Sequence, residues 1–137
     1  MKIAIIDGLG GGLGCQLIDR LSQELPRVEL IALGTNSRAT SRMLEAGADT
    51  GATGENAIRI NVARVEIIVG PLGIIIPDAM MGEVTLNMAR YISDSEAEKF
   101  ILGIKQPHVN LVGLADNPLN DIIDGAVQKI KKYQQRE

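Results

Sequence analysis

Aromatic residues are scarce in this 137-residue sequence, which has two Tyr, one Phe and no Trp. Its core must therefore be built from aliphatic side chains. The bases of single-stranded nucleic acids stack on aromatic rings, and this chain offers few of them. Basic residues do not dominate either, because the net charge is −3, which argues against a nucleic acid-binding surface. We therefore expect no nucleic-acid partner.

Soft metal ligands and long apolar runs are also missing. Cys15 is the single cysteine and His108 the single histidine, so no intramolecular disulfide and no soft-metal cluster can form. No stretch is long and apolar enough to span a bilayer, and the start of the chain shows no signal-peptide pattern. We expect no metal, no membrane partner and a cytoplasmic location. Cys15 is interpreted as a packed helix residue and His108 as a turn residue.

Glycine is what the sequence concentrates. The glycine loop, residues 8–14, holds five glycines in seven residues, after an apolar strand-like segment and before a helix-like one. Strand, glycine-rich turn and helix is the context of a phosphate-binding loop. A tight turn that binds nothing is the alternative, but it needs only one or two glycines. The predicted cofactor-binding residues here are Asp7, Gly8, Leu9, Gly10, Gly11, Gly12, Leu13 and Gly14.

The end of the second predicted strand indicates which nucleotide to expect. A carboxylate usually holds the adenine ribose of NAD at this place, but the sequence has Thr35, Asn36, Ser37 and Arg38. Hydroxyls with an arginine suit a 2′-phosphate, since guanidinium binds phosphate through paired hydrogen bonds. This favours NADP over NAD. A capped helix start with a solvated arginine explains the same residues equally well.

A third segment at the same predicted sheet edge completes the site. Gly70, Pro71, Leu72 and Gly73 follow a buried strand and are predicted to bind the cofactor. Six large apolar residues then occur within residues 72–82, more than one connection readily hides. We expect a homodimer through this segment. Four carboxylates are further candidates for the rim of the site: Asp7, Glu55, Asp78 and Glu83.

Alternating strand and helix patterns predict the fold class. We expect an α/β, Rossmann-like three-layer sandwich with a mainly parallel sheet, formed as a single domain over residues 1–137. Two strand-like runs, 99–105 and 109–114, are separated by three residues. That connection is too short for a crossover helix, so we expect a C-terminal antiparallel hairpin at one edge of the sheet.

Several segments resemble a small family of bacterial proteins of about this length, catalogued as a domain of unknown function. They are residues 1–14, 32–37, 48–57 and 68–76. The resemblance covers essentially the whole chain and implies a Rossmann-like fold with no known activity. The glycine loop also resembles that of short-chain dehydrogenases. Those enzymes use a Tyr-x-x-x-Lys pair, which neither Tyr91 nor Tyr133 supplies, so their chemistry is not supported.

Three functions follow from these patterns. The first is binding of a dinucleotide, NADP or NAD, at the glycine loop. The second is an enzyme acting on a small phosphorylated or carboxylated metabolite whose anion sits at the loop. The third is a structural or interaction subunit with no ligand. The sequence leaves open whether the protein is an enzyme.

Overall fold

A computed structural model describes residues 1–136, so Glu137, the last residue of the predicted domain, lies outside it. Strands and helices alternate along the chain. The strands are β1 (Lys2–Asp7), β2 (Glu29–Gly34), β3 (Thr50–Thr53), β4 (Ile67–Pro71) and β5 (Glu98–Leu102). The helices are α1 (Gly12–Glu24), α2 (Ser37–Glu45), α3 (Glu55–Asn61), α4 (Leu86–Asp94) and α5 (Leu119–Gln135), with a short 3-10 helix at Leu72–Ile75.

The five strands form one parallel sheet in the order β3-β2-β1-β4-β5. The central strand β1 is in register with both neighbours, so that Ile5 lies beside Ala32 and Val69. From β1 the chain moves outward to β2 and β3, then returns to β4 on the other side. The strand order therefore reverses between β1 and β4. Ligands of open α/β sheets bind at the carboxyl ends of the strands at such a point.

Helices cover both faces of the sheet because side chains alternate along each strand. Ile3 and Ile5 of β1 pack into the core under α1, α2 and α5. Ala4 and Ile6 pack into the core under α3 and α4. Both cores are aliphatic apart from half-buried Phe100, Tyr133 and Tyr91 at their margins. The predicted parallel α/β class is confirmed.

The predicted C-terminal antiparallel hairpin is wrong. Its first run forms β5, which pairs parallel to β4, because α4 supplies the crossover before it. Its second run, 109–114, is not a strand, and residues 103–118 hold only an isolated antiparallel bridge between Gln106 and Val109. Gly113 has a φ of +91°, which turns the backbone and ends any extended run.

Candidate functional site

Asp7 lies at the end of β1, below the start of α1. Odd-numbered residues of β1 face this side of the sheet, so the Asp7 side chain points toward the glycine loop. Its carboxylate accepts hydrogen bonds from the N–H groups of Gly8 and Gly14, both at 2.8 Å. Asp7 is 5% exposed. Burial raises the pKa of this carboxyl, although the two N–H donors oppose the shift. The chain thus places its own anion against the loop.

Glu83 closes the other side of the loop. It comes from the connection between the 3-10 helix and α4, and one carboxylate oxygen, Oε1, accepts three hydrogen bonds. The donors are the Leu9 N–H at 2.8 Å, the Thr35 hydroxyl at 2.7 Å and the Asn36 amide at 2.8 Å. Burial opposes ionisation of Glu83, but these donors outweigh it and hold its pKa below the ordinary value.

Residues 35–38, predicted to bind the nucleotide ribose, are largely occupied within the chain. Thr35 and Asn36 bind Glu83, and Asn36 also donates to the Leu9 carbonyl and caps α2 by accepting from the Ala39 N–H. Ser37 and Arg38 are exposed. Arg38 has no hydrogen bond or ion pair within residues 1–136. Asn36 is therefore a helix cap and Arg38 an exposed residue, while nucleotide binding by these residues stays a prediction.

The loop glycines serve different purposes. A Cβ on Gly8 would lie 2.4 Å from the Thr35 hydroxyl oxygen, and a Cβ on Gly14 would lie 2.5 Å from the Met43 sulfur. Gly10 and Gly11 would contact Arg42 and Ala39 in the same way, and Gly11 has a φ of +71°. Only Gly12, among the five, has no heavy atom within 4 Å of this position. Internal packing therefore explains Gly8, Gly11 and Gly14 and gives no structural reason for Gly12, while Gly10 meets only the movable end of the Arg42 side chain.

Three backbone donors of the loop remain free. The N–H groups of Gly10, Gly12 and Leu13 have no acceptor within the described chain, whereas Gly11 donates to Gly8 and Gly14 to Asp7. Two of these free donors are at the first turn of α1, where the helix dipole is positive. Leu13 is half-buried and Leu9 is 46% exposed. An anion therefore has donors available next to Gly12.

Arg42, a residue that sequence reasoning missed, contacts the loop. Its guanidinium donates to the Gly10 carbonyl, so a positive charge lies beside the start of α1. The signal was its position four residues after Arg38, which places both on one face of α2. The arginine beside the loop is therefore Arg42, whereas Arg38, predicted to bind a 2′-phosphate at the end of β2, is exposed.

Residues 70–73 end β4 next to the end of β1. Gly70 is buried, and a Cβ on it would lie 2.5 Å from the Ile6 carbonyl oxygen, so close backbone packing requires glycine there. Pro71 ends the strand, and Leu72 begins the 3-10 helix. Gly73 contacts the side chain of Gln106 rather than the glycine loop. No contact of these residues assigns them to a ligand.

Residues 72–82 do not leave the apolar surface that the homodimer prediction assumed. Ile74 is 1% exposed, and Ile75 and Met80 pack at the margin of the core under α3 and α4. Leu72 and Ile76 are half-buried, whereas Met81 is 96% exposed. The segment curls back on itself, since the N–H of Asp78 donates to the carbonyl of Val84. Five of the six large apolar side chains of the segment are thereby buried or half-buried within one chain.

The other residues singled out in the sequence lie in turns or make contacts within the fold. The carboxylate of Glu55 accepts from the Thr85 hydroxyl, and Asp78 is an exposed turn residue with a φ of +66°. His108 is an exposed turn residue, as predicted. Burial raises the pKa of the Cys15 thiol, and Arg42 only partly opposes this, so the thiol is not activated. Among residues 1–136 no helix is long and apolar enough to cross a membrane.

Together, the strand order and the loop at the end of β1 define a Rossmann-like α/β protein. The chain belongs to the family described as a domain of unknown function, DUF3842, whose model matches residues 2–135. The family resemblance noted in the sequence is thereby confirmed. No curated protein matches the sequence.

The fold is also found in a solved structure of another protein. It is the dodecameric FMN-dependent UbiX-like decarboxylase from Escherichia coli O157:H7, with 13% sequence identity and a TM-score of 0.54. The match covers 98% of this chain and 95% of the other. At this identity the likeness shows the fold alone.

The prediction of NADP or NAD as cofactor is corrected by this finding, because the protein that shares the fold depends on FMN. The geometry at the end of β2 speaks against NADP in particular. Thr35 and Asn36 bind the ionised Glu83 instead of presenting free donors, and a carboxylate at this place repels a 2′-phosphate. Residues 34–38 contain no acid, which led to the prediction of NADP. The carboxylate at this place belongs to Glu83, which lies 45 or more residues further along the chain.

Proposed function

We propose that this chain binds a phosphorylated nucleotide at the start of α1, with flavin mononucleotide as the ligand. Gly12 is the observation that carries the proposal, because no atom of the described chain fills the space of its missing side chain. Glycine lets a ligand approach the backbone closely. A helix start offers such a ligand free N–H donors and a positive dipole end.

A mononucleotide suits the site because it has one anionic anchor. The free N–H groups of Gly12 and Leu13, with the guanidinium of Arg42 nearby, supply donors and positive charge for one phosphate. A dinucleotide needs a second anchor, and Thr35 and Asn36 are engaged with Glu83. The FMN dependence of the decarboxylase that shares the fold supports this choice.

The surroundings of the loop suit a flat, partly apolar ring system. Leu9 is 46% exposed beside the loop, and the Met80 sulfur lies against Gly8, 2.7 Å from the position of a Cβ. Aliphatic and thioether side chains provide apolar contact without an aromatic stack. Residues 70–73, at the end of the neighbouring strand β4, stay a prediction from the sequence.

Self-association and a single domain over residues 1–137 are part of the proposal. The similar decarboxylase is a dodecamer, which supports self-association of this chain. Among the large apolar residues of 72–82 only Met81 is exposed, so that segment contributes to the edge of an interface at most. The cytoplasmic location stays a prediction from the sequence.

Flavin fluorescence and thermal-shift titrations with FMN and riboflavin test the ligand. We expect FMN to bind and riboflavin, which lacks the phosphate, to bind at least about tenfold more weakly, since a charged hydrogen bond contributes about 1.5–3 kcal/mol. Equal binding of both would show that the loop does not hold the phosphate. Stabilisation by inorganic phosphate without binding of FMN would favour the second function, an enzyme acting on a small phosphorylated metabolite.

Two matched pairs of variants locate the site. Gly12→Ala places a methyl group where the phosphate approaches, whereas Gly125→Ala adds the same group to open space on α5. We expect only the first to weaken FMN, with neither variant destabilised. Arg42→Gln should weaken FMN about tenfold or more, and Arg38→Gln should leave it unchanged. If the two variants of either pair changed FMN affinity equally, the FMN site would not lie at the start of α1 beside Arg42.

A further inference from the structure

Residues 106–119, which we call the arm, follow β5 and carry much of the exposed apolar surface. Every residue from 107 to 121 is exposed. Of the ten large apolar residues exposed in the described chain, five belong to the arm. They are Val109, Leu111, Val112, Leu114 and Leu119. Exposed apolar residues that are concentrated in one segment point to an interaction site, whereas those scattered singly need no explanation.

The arm is held in a defined place on the body of the protein. A Cβ on Gly103 would lie 3.1 Å from Cδ1 of Leu114 and 3.4 Å from Cδ1 of Leu111. Both leucines therefore pack against the backbone just after β5. The positive φ of Gly113 makes a turn that places Val112 at its tip. Val112 is 94% exposed. A valine displayed at the tip of an ordered turn has no partner within its own chain.

A groove of about 1080 Å³ lies between the arm, β5 and α5. Its apolar lining includes Phe100, Leu102, Ile104 and Ile122. On this side β5 is the edge of the sheet, since β4 is its one strand partner within residues 1–136. An open strand edge readily accepts another segment of chain. The molecule therefore has a projecting apolar turn and, beside it, a groove lined by both apolar and charged side chains, with Lys99 and Lys129 among the charged ones.

The charge pattern of the arm favours a second copy of this chain as its partner. Residues 106–115 carry no formal charge, although charged residues make up 23% of the sequence. A two-fold interface packs one surface against itself, so like charges near the axis would repel one another. The first charges on either side of this stretch are Lys105 and Asp116, which are opposite in sign. An antiparallel pairing of two arms brings these opposite charges together.

We propose that two copies of this chain associate through the arm, with Val112 and its neighbours of each copy packed against the arm and groove of the other. The proposal rests on the self-association in the proposed function and does not depend on nucleotide binding. It replaces residues 72–82 as the main contact, because those residues bury most of their apolar side chains within one chain.

Sedimentation equilibrium of the full chain measures the association. We expect a wild-type dimer and a dissociation constant raised about 30-fold or more in Val112→Asp and in Val112→Lys, the effect typical of a central interface residue. Leu86→Asp, at an exposed leucine of α4, is the matched control and should leave the dimer intact. Circular dichroism confirms that each variant is folded.

Three results would overturn the proposal. They are a wild type that stays monomeric at about 1 mM, folded Val112 variants that dimerise like the wild type, and dissociation by Met81→Asp but not by Val112→Asp. FMN titrations of the same variants separate the two proposals. If a variant loses the dimer but still binds FMN, dimerisation through the arm is supported independently of nucleotide binding. If the wild type dimerises but does not bind FMN, the arm proposal stands and the FMN proposal is rejected.

Discussion

At the glycine loop the carboxylates of Asp7 and Glu83 accept five hydrogen bonds, three from the loop's own N–H groups and two from the side chains of Thr35 and Asn36. In the arm apolar side chains project into solvent, and Val112 is 94% exposed. Four of the seven N–H groups of the loop are thus bound within residues 1–136, and the open space at the loop lies at Gly12. The arm exposes apolar surface that does not pack against the rest of residues 1–136. A conspicuous sequence motif can be mostly internal packing, whereas an inconspicuous loop can carry the free surface.

Asp7→Ala should have the largest effect on stability. It removes the acceptor of the Gly8 and Gly14 N–H groups in a buried place, and each unsatisfied buried donor costs about 1–3 kcal/mol. Urea unfolding at a chain concentration that keeps the protein monomeric measures the loss. An effect below about 0.5 kcal/mol, the size typical of surface substitutions, would show that the loop does not depend on Asp7.

Glu83→Ala should have a smaller effect, because Glu83 is half-buried and water can replace part of what it provides. We expect a loss of about 1–3 kcal/mol in urea unfolding, from the lost charged hydrogen bonds to Leu9, Thr35 and Asn36. Glu83→Gln keeps an acceptor oxygen and serves as the control, with a smaller loss. If Glu83→Gln lowered the free energy of unfolding as much as Glu83→Ala does, the acceptor oxygen would not stabilise the loop.

The two carboxylates should respond to pH in opposite directions. Folding raises the pKa of Asp7, so its contribution to the free energy of unfolding is complete below its ordinary pKa of 3.8 and is lost as the pH rises through the folded value. Folding lowers the pKa of Glu83. Its contribution is present above its ordinary pKa of 4.5 and is lost as the pH falls through the folded value.

The difference in unfolding free energy between wild type and variant tests these signs. For Asp7→Asn the difference should be larger near pH 4 than near pH 7, and for Glu83→Gln it should be larger near pH 7. Matching slopes for the two variants would contradict the assigned pKa directions.

Val112→Ser should have the smallest effect on the single chain. Its side chain is almost fully exposed, and surface substitutions change stability by less than about 0.5 kcal/mol. Unfolding at low concentration should therefore match the wild type, while at high concentration only the wild type gains stability from association. A monomer destabilised by this substitution would place Val112 inside its own chain and weaken the contrast with the loop.

Local patterns in the sequence determined most of the fold. Apolar runs punctuated by glycine and separated by helix-like stripes predicted β1, β2 and β4 with their crossover helices, because such periodicity depends on near neighbours. They also predicted Asn36 as a cap candidate for α2, and the structure confirms its hydrogen bond to Ala39. The short second run of the expected hairpin had no partner to make it a strand, so strand-like composition was not enough.

By itself, then, the sequence determined a parallel α/β sheet with a glycine loop at the end of its first strand. Tertiary structure decided what the loop is for. Glu83 binds the N–H of Leu9 in the loop although the two residues are 74 positions apart in the sequence. Met43 and Thr35 fill the space that Gly14 and Gly8 leave. It also decided that Gly12 alone stays open and that the arm stays uncovered. Such contacts depend on which distant segments pack together, and no local pattern records that.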